Sequence, residues 1–244
     1  MNKTALVIGG SGAIGSSAIA SLVQDGFTVW GTYFKDKTNA DAVAAKHPKA
    51  VSFVAMDCSQ ENSVTSAMQE IYSETKTLDV ILFSVTPPLK YSAFANASWD
   101  SYKLQFETQV KGLFLLAKNL HPQIQSNYKT KIIVILTEFC VGKPTAGISD
   151  YATAKYALLG LSKILAVELS KYKTTVNMIS PGMTETDLLS HLPPKALELA
   201  AMSNPLKRIA QPQDVAGVVS FLASEKSDYL NGANILVNGG GVML

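Results

Sequence analysis

The stretch Gly9-Gly10-Ser11-Gly12-Ala13-Ile14-Gly15 lies between the apolar run Ala5–Ile8 and a helical pattern over Ser16–Asp25. Glycines at these spacings let the chain turn with positive φ, let backbone N–H groups approach a pyrophosphate, and let a helix pack closely on a strand. The helix N-terminus then turns its partial positive charge toward the phosphates. As a bare Gly10-x-Gly12-x-x-Gly15 pattern the signal is weak, and a plain strand-to-helix turn fits it too. Its place between a first strand and a first helix favours a dinucleotide-binding turn, with Gly9, Ser11, Gly12, Ile14 and Gly15 as contacts.

Outward from this turn, β-rich runs alternate with helical ones. Ala5–Ile8, Thr28–Gly31, Val51–Ala55, Val80–Val85, Ile132–Leu136, Val176–Ile179 and Asn234–Val237 read as strands. They are almost continuously apolar, as strands covered on both faces must be. Helical patterns fall at Ser16–Asp25, Asn39–Lys46, Glu61–Thr75, Trp99–Gln125, Tyr151–Lys171 and Pro212–Ala223. The expected fold is α/β: one doubly wound, Rossmann-type parallel sheet of about seven strands with helices on both faces. No linker, repeat or composition break divides residues 1–244, so one domain is expected. Residues 181–206 have neither period and carry Pro193-Pro194 and Pro205. Following a strand, they would lie over the carboxyl edge of the sheet as a substrate lid, or form an ordinary surface excursion.

Composition narrows the function. Charged residues are 16% of the 244, below the usual ~25%, which suggests surface hidden in an oligomer. The net charge is +2 and Arg208 is the single arginine. Without arginines or a basic stripe, nucleic acid is a poor partner. Two cysteines and three histidines without ligand spacing argue against a metal site or a disulfide framework. No apolar run approaches the ~18 residues of a membrane span. Met1-Asn2-Lys3, then Ala5–Ile14 and Ala18-Ile19-Ala20 imitate a signal peptide, but Gly9, Gly10, Gly12 and Gly15 interrupt the apolar part. A cytoplasmic protein is expected.

A dinucleotide site that prefers NAD places an acid at the end of the second strand. Here Tyr33 takes that position, with Lys35 and Lys37 following and Asp36 between them. Missing acid and nearby ammonium groups favour the extra phosphate of NADP(H); two solvated lysines are the alternative. Tyr151 and Lys155, four apart, share one helix face. An ammonium there would favour tyrosinate and lower a phenol pKa that starts near ~10. Tyr33/Lys37 and Tyr72/Lys76 repeat the spacing, but only Tyr151/Lys155 follows a buried strand and opens a helix of small residues.

With these residues the sequence resembles the short-chain dehydrogenase/reductase family, in particular its bacterial 3-oxoacyl-acyl-carrier-protein reductase branch. Weaker signatures follow in family order along nearly the whole chain. Asp57, with Cys58, follows strand three at the adenine position. Asn177-Met178-Ile179-Ser180-Pro181-Gly182 follows, with Thr184 and Thr186 at the carboxamide position. Arg208, Asp214-Val215-Ala216, Phe221–Ser224, Asn231-Gly232 and Val237–Gly240 complete the order. The resemblance implies NADPH-dependent reduction of a 3-oxoacyl thioester or related ketone, free or carrier-bound. It also implies a homotetramer formed through Trp99–Gln125, Tyr151–Lys171 and the C-terminal tail. An enoyl reductase of the same superfamily fits less well, because those enzymes usually space Tyr and Lys further apart.

The departures cluster at the chemistry. Ile8 and Ala13 replace the usual Thr and Gly of the glycine turn, and Phe83-Ser84-Val85-Thr86 replaces Asn-Asn-Ala-Gly. Gln109 stands where an Asn supports a proton relay, and Glu138 where the catalytic Ser is expected. An ionised carboxylate only accepts hydrogen bonds and opposes tyrosinate. Either Glu138 is protonated by desolvation, or Thr137 supplies the hydroxyl, which requires a bulge or a shift because adjacent strand residues face opposite ways. The rival to an enzyme is a degenerate scaffold subunit pairing with an active relative. Lys129, Lys131, Lys171 and Lys173 read either as a patch for an acidic carrier protein or as lysines drawn to helix C-termini. Cys140 and Trp99 are expected to be packing residues.

Overall fold

The computed structural model describes residues 3–126, 129–190 and 192–243. Seven strands form one parallel sheet: β1 (Lys3–Ile8), β2 (Phe27–Tyr33), β3 (Val51–Ala55), β4 (Val80–Phe83), β5 (Lys131–Ile135), β6 (Thr175–Pro181) and β7 (Asn234–Val237). Their spatial order is β3-β2-β1-β4-β5-β6-β7. This is the doubly wound fold expected, with the order reversing between β1 and β4. Such a reversal parts the following loops and leaves a crevice at the carboxyl ends of the strands.

The strands are apolar throughout because the pleat serves two cores. Ala5, Val7, Val80, Leu82, Ile133 and Ile135 face one side, where helices α1 (Ala13–Gln24) and α8 (Pro212–Ala223) pack. Leu6, Ile8, Ile81, Phe83, Ile132 and Val134 face the other. There they meet α3 (Glu61–Glu74), α5 (Gly112–Gln125) and α6 (Ser149–Ser170). Helix α2 (Thr38–Lys46) leads into β3. The helix expected over Trp99–Gln125 is three pieces: α4 (Trp99–Gln105), a π-helical turn at Phe106–Lys111, and α5.

Three expectations are corrected. Residues 181–206 are not aperiodic throughout: the two prolines open helix α7 (Pro194–Ser203), whose φ at N1 suits proline. Trp99 does not pack; it is 68% exposed and stacks on Tyr102 at the start of α4. Lys131 does not end a helix but opens β5, buried, donating to Ser224 O and Ser227 Oγ at 2.8 Å and pairing with Asp228. Lys129 pairs with the same carboxylate, so this half of the basic patch is spent on structure. Of the leader-like segment, Ala5–Ile14 forms β1, the turn and the start of α1, while Met1 and Asn2 lie outside the described residues. No helix among the described residues is long and apolar enough to cross a membrane.

One buried amide ties the second face together. Gln123 accepts from Leu78 N–H and donates to Leu78 C=O, both at 2.9 Å, and donates to Thr130 Oγ1 at 2.8 Å. It thereby fixes the end of α5 against the starts of β4 and β5. Gln123→Leu keeps the volume but strands the Leu78 N–H, and lowers stability by about 2–3 kcal/mol, read as a shift of the urea unfolding midpoint.

Candidate active site

The loops at the strand ends enclose a cleft of about 400 Å³. At one end it is lined by Gly12, Ala13, Ile14 and Gly15, in the middle by Ser84, and at the other end by Thr137, Glu138, Tyr151 and Lys155. Pro181, Gly182, Thr184 and Thr186 close its side. These expected residues, from five separate stretches of sequence, are therefore brought together.

The glycine turn is shaped by backbone contact. At Gly9, with φ of +81°, a Cβ would stand 2.5 Å from Ser84 O, and at Gly15 it would stand 2.1 Å from Gly9 O. Neither position admits a side chain. Gly9 N–H donates to Thr32 Oγ1 at 3.0 Å, which pins the turn to β2. Helix α1 has Gly12 as its N-cap, with no side chain capping it and no acid in its first turn. Its leading N–H groups thus face the cleft with their partial charge uncancelled, as a pyrophosphate requires. The residues present fit a dinucleotide.

Tyr33, Lys35, Asp57 and Cys58 do not line the cleft. Tyr33 ends β2, half-buried, and Lys35 lies exposed over the Phe34 ring at 4.8 Å. Asp36 is turned away, accepting Thr38 N–H at 2.8 Å, and Lys37 is paired with Asp41. Asp57 accepts from Ser59 N–H at 2.9 Å and from its hydroxyl at 2.7 Å. The Cys58 side chain is in the core beneath Gly112, and burial pushes its thiol up to about 12, so that thiol offers nothing to a cofactor. Gly9 and Ser11 shape the turn behind the lining. Gln109, wholly buried in the π-helical turn, donates to Gln105 Oε1 at 2.6 Å, and its own Oε1 accepts nothing from the protein. It faces its neighbour rather than the cleft.

Tyr151 and Lys155 lie on the buried face of α6, one turn apart, with Lys155 Nζ 5.7 Å from the Tyr151 ring centroid. Lys155 is 1% exposed and donates to Ile135 O at 2.9 Å. In the protein without cofactor, burial outweighs the acidifying effect expected of its ammonium. Burial pushes Tyr151 up to about 12, with the Cys140, Tyr91 and Glu138 side chains adding to the shift, and burial pulls Lys155 down to about 7. The ammonium donates to the Ile135 carbonyl and is itself desolvated, and it is not among the groups that lower the phenol's pKa. The group that does lower the phenol's pKa is Thr137, through a side-chain hydrogen bond.

Thr137 reaches Tyr151 without a bulge. Strand β5 ends at Ile135, and Thr137 caps a 3₁₀ turn over Glu138–Cys140, where strand alternation no longer applies. Glu138 lines the same cleft but leans toward the C-terminal tail, with Oε2 accepting Asn238 Nδ2 at 3.1 Å. Burial pushes its carboxyl above the usual range, against the pull of that hydrogen bond. Cys140 is a buried packing residue, as expected. Residues that sequence reasoning missed include Thr86, Leu89, Tyr91, Phe139, Ile148 and Met183. Tyr91 follows β4 across the crevice; its signal is its place after a strand at the reversal of strand order. Within residues 181–206, Leu188 and Leu189 line the cleft, whereas Leu192 and Met202 do not.

Comparison with known proteins agrees with this geometry. A family model described as enoyl-(acyl carrier protein) reductase matches residues 10–241. The 3-oxoacyl-[acyl-carrier-protein] reductase FabG of Staphylococcus epidermidis is 30% identical over 98% of this chain and 99% of its own. That of Staphylococcus aureus is 31% identical over 98% of each. The chain belongs to the short-chain dehydrogenase/reductase family. This is a family of oxidoreductases that use nicotinamide cofactors. Among solved structures, YwfH, an NADPH dependent reductase involved in bacilysin biosynthesis, is 26% identical, covers 100% of both chains and superposes with a TM-score of 0.90.

The buried lysine gives a pH signature. Its pKa is near ~10.4 in the unfolded chain and about 7 in the fold, so between these values the unfolded state binds one more proton. Stability therefore rises with pH from about 7 toward 10, and the desolvation penalty is fully present below 7. The slope is up to about 1.4 kcal/mol per pH unit. Above pH 10 the raised Tyr151 reverses the trend, because the unfolded phenol ionises first. Lys155→Met removes the rise between pH 7 and 9 in urea unfolding of the cofactor-free protein.

Proposed function

We propose that this chain, as a single domain over residues 1–244, is an NADPH-dependent reductase that converts a ketone to an alcohol. Free or carrier-bound 3-oxoacyl thioesters are the first class to test, because the staphylococcal relatives are named for them. The observation that carries the reading is the Thr137 hydroxyl bound to Tyr151 at the end of a cleft that begins at the glycine turn. A Tyr–Lys spacing of four supports carbonyl over enoyl reduction, despite the wording of the family description.

In this reading the bound reduced nicotinamide supplies a hydride. Gly9, Ser11, Gly12, Ile14 and Gly15 hold its pyrophosphate, Ser84, Pro181, Gly182, Thr184 and Thr186 its nicotinamide half, and Lys155 its ribose. Asp57 and the Cys58 backbone flank the adenine. Thr137 and Tyr151 orient the carbonyl oxygen, and Tyr151 gives it a proton as charge develops there. A phenol held at about 12 stays protonated at neutral pH and is still a stronger acid than an alcohol, so the transfer runs downhill. The tyrosinate left behind is stabilised by the Thr137 hydrogen bond and by Lys155, which gains reason to stay charged beside an anion.

The preference for NADPH rests on Lys35, since Asp36 is occupied by the Thr38 N–H and Tyr33 leaves no carboxylate for the ribose hydroxyls. The lid is residues 181–206. A homotetramer through α5 and α6 accounts for Phe114, Ile164 and Val167, which are 49%, 56% and 73% exposed. A cytoplasmic location suits the two free cysteines.

The second reading is a scaffold subunit pairing with an active relative. It is favoured by Glu138 in place of Ser and by Gln109 turned onto Gln105. Acetoacetyl thioester reduction separates the two. Tyr151→Phe lowers kcat by about 10²–10⁴-fold while NADPH affinity stays within about threefold. A wild type that binds NADPH but is silent, with turnover appearing in Glu138→Ser, establishes the scaffold instead. For the cofactor, Lys35→Glu weakens NADPH by about tenfold or more and leaves NADH nearly unchanged, read by nucleotide fluorescence titration.

A further inference from the structure

The substrate end of the cleft carries an unusual charge inventory. Among the described residues that line it, Lys155 is the one basic side chain, and it is buried and bonded to Ile135 O. The carboxylates are Glu138 and Asp187. Glu138 is held in place by a neutral partner: Asn238 is buried, donates to both Glu138 Oε2 and Val242 O, and accepts Gly240 N–H on its own oxygen. Among the described residues no lysine or arginine forms an ion pair with Glu138. Its other oxygen lies beside Gly182, a residue that also lines the cleft. The surrounding walls, from Leu89, Phe139, Ile148, Met183 and Leu188, are apolar. A fixed, half-buried carboxylate with no cation, in apolar walls, is a site completed by a positive charge.

We propose that Glu138 is a specificity-determining residue that selects ketones bearing an ammonium group within a few bonds of the carbonyl. Glu138 adjoins Thr137 in the chain, so their Cα atoms are about 3.8 Å apart. The oxygen held by Thr137 and Tyr151 and the nitrogen facing Glu138 thus belong to one small molecule or one acyl head. An ammonium satisfies the carboxylate by a charge-assisted hydrogen bond, while the carbon skeleton covers the apolar walls. The same inventory disfavours an anionic group at this end, since no free cation is there to receive it. Burial raises the Glu138 carboxyl, and a bound ammonium pulls it back toward the ionised form.

The inference rests on the carbonyl-reduction reading and narrows its substrate class. Its test uses 4-(dimethylamino)butan-2-one and the uncharged isostere 5-methylhexan-2-one at pH 7, with wild type and Glu138→Gln, a change that keeps shape and an acceptor for Asn238. Binding of each ketone to NADP⁺-loaded protein is measured by calorimetry, and turnover with NADPH is followed in parallel. The wild type binds the amine about thirtyfold more tightly, equal to about 2 kcal/mol, and the ratio falls to within about threefold in Glu138→Gln. Equal wild-type affinities, no binding of either ketone, or a ratio that survives the substitution overturns the proposal. A variant that instead shifts the relative affinity for NADP⁺ and NADPH, leaving the ketone ratio intact, assigns the charge to the cofactor and also overturns it. Silence in turnover with selective binding intact counts against the reductase reading alone.

Discussion

Two backbone approaches without intervening side chains hold the crevice together: Gly9 against the Ser84 carbonyl, and Gly15 against the Gly9 carbonyl. Both lie where the strand order turns from β1 to β4. A methyl group at either position would force strand and helix apart, opening the gap that directs the N-terminus of α1 at a phosphate. Everything downstream is registered on this joint. Parallel pairing carries its position from β1 through β4 and β5 to β6, and so sets where Thr137 and Pro181 emerge. The chemistry at the far end of the cleft is thus positioned by close packing at the near end.

The far end inverts the electrostatics that a tyrosine and lysine one turn apart suggest. Proximity alone would couple them, but burial acts on both before they act on each other. The phenol becomes a weaker acid and the ammonium a weaker base, each moving toward neutrality because neither is solvated. A neutral acid poised beside a carbonyl is what reduction needs. Burial rather than Lys155 therefore sets the protonation of Tyr151 in this fold, and under the proposed reduction the lysine's charge comes into play when an anion is left next to it.

Much of this was legible in the sequence. All seven strands and the alternation with helices follow from apolar runs that serve two cores at once, and the glycine turn is readable because its spacing has few structural uses. Tyr151 and Lys155 stood out from two decoy pairs only through context, a preceding buried strand and small helical neighbours. What escaped depends on a single residue of register or on distant partners. Whether Thr137 or Glu138 faces Tyr151 turns on β5 ending at Ile135, one residue before the apolar run ends. Lys131 reads as surface charge until Asp228, far along the chain, is seen beside it. Helix α7 is short and half-buried with no fully buried residue, so it leaves little periodic imprint. Tyr91 belongs to a proline-rich connection with no pattern of its own.

The cleft is also divided in time. Its glycine-turn end is built from β1, the start of α1 and the residues just after β4, whereas the carboxylate of Glu138 is held by Asn238, and Val242 fills the hollow over Gly142. During synthesis at roughly 5–20 residues per second, these last pieces follow Ser84 by about ten to thirty seconds. A nascent chain therefore holds every residue of the glycine turn well before it holds those that fix Glu138 in place, and that carboxylate is the last part of the cleft to be set.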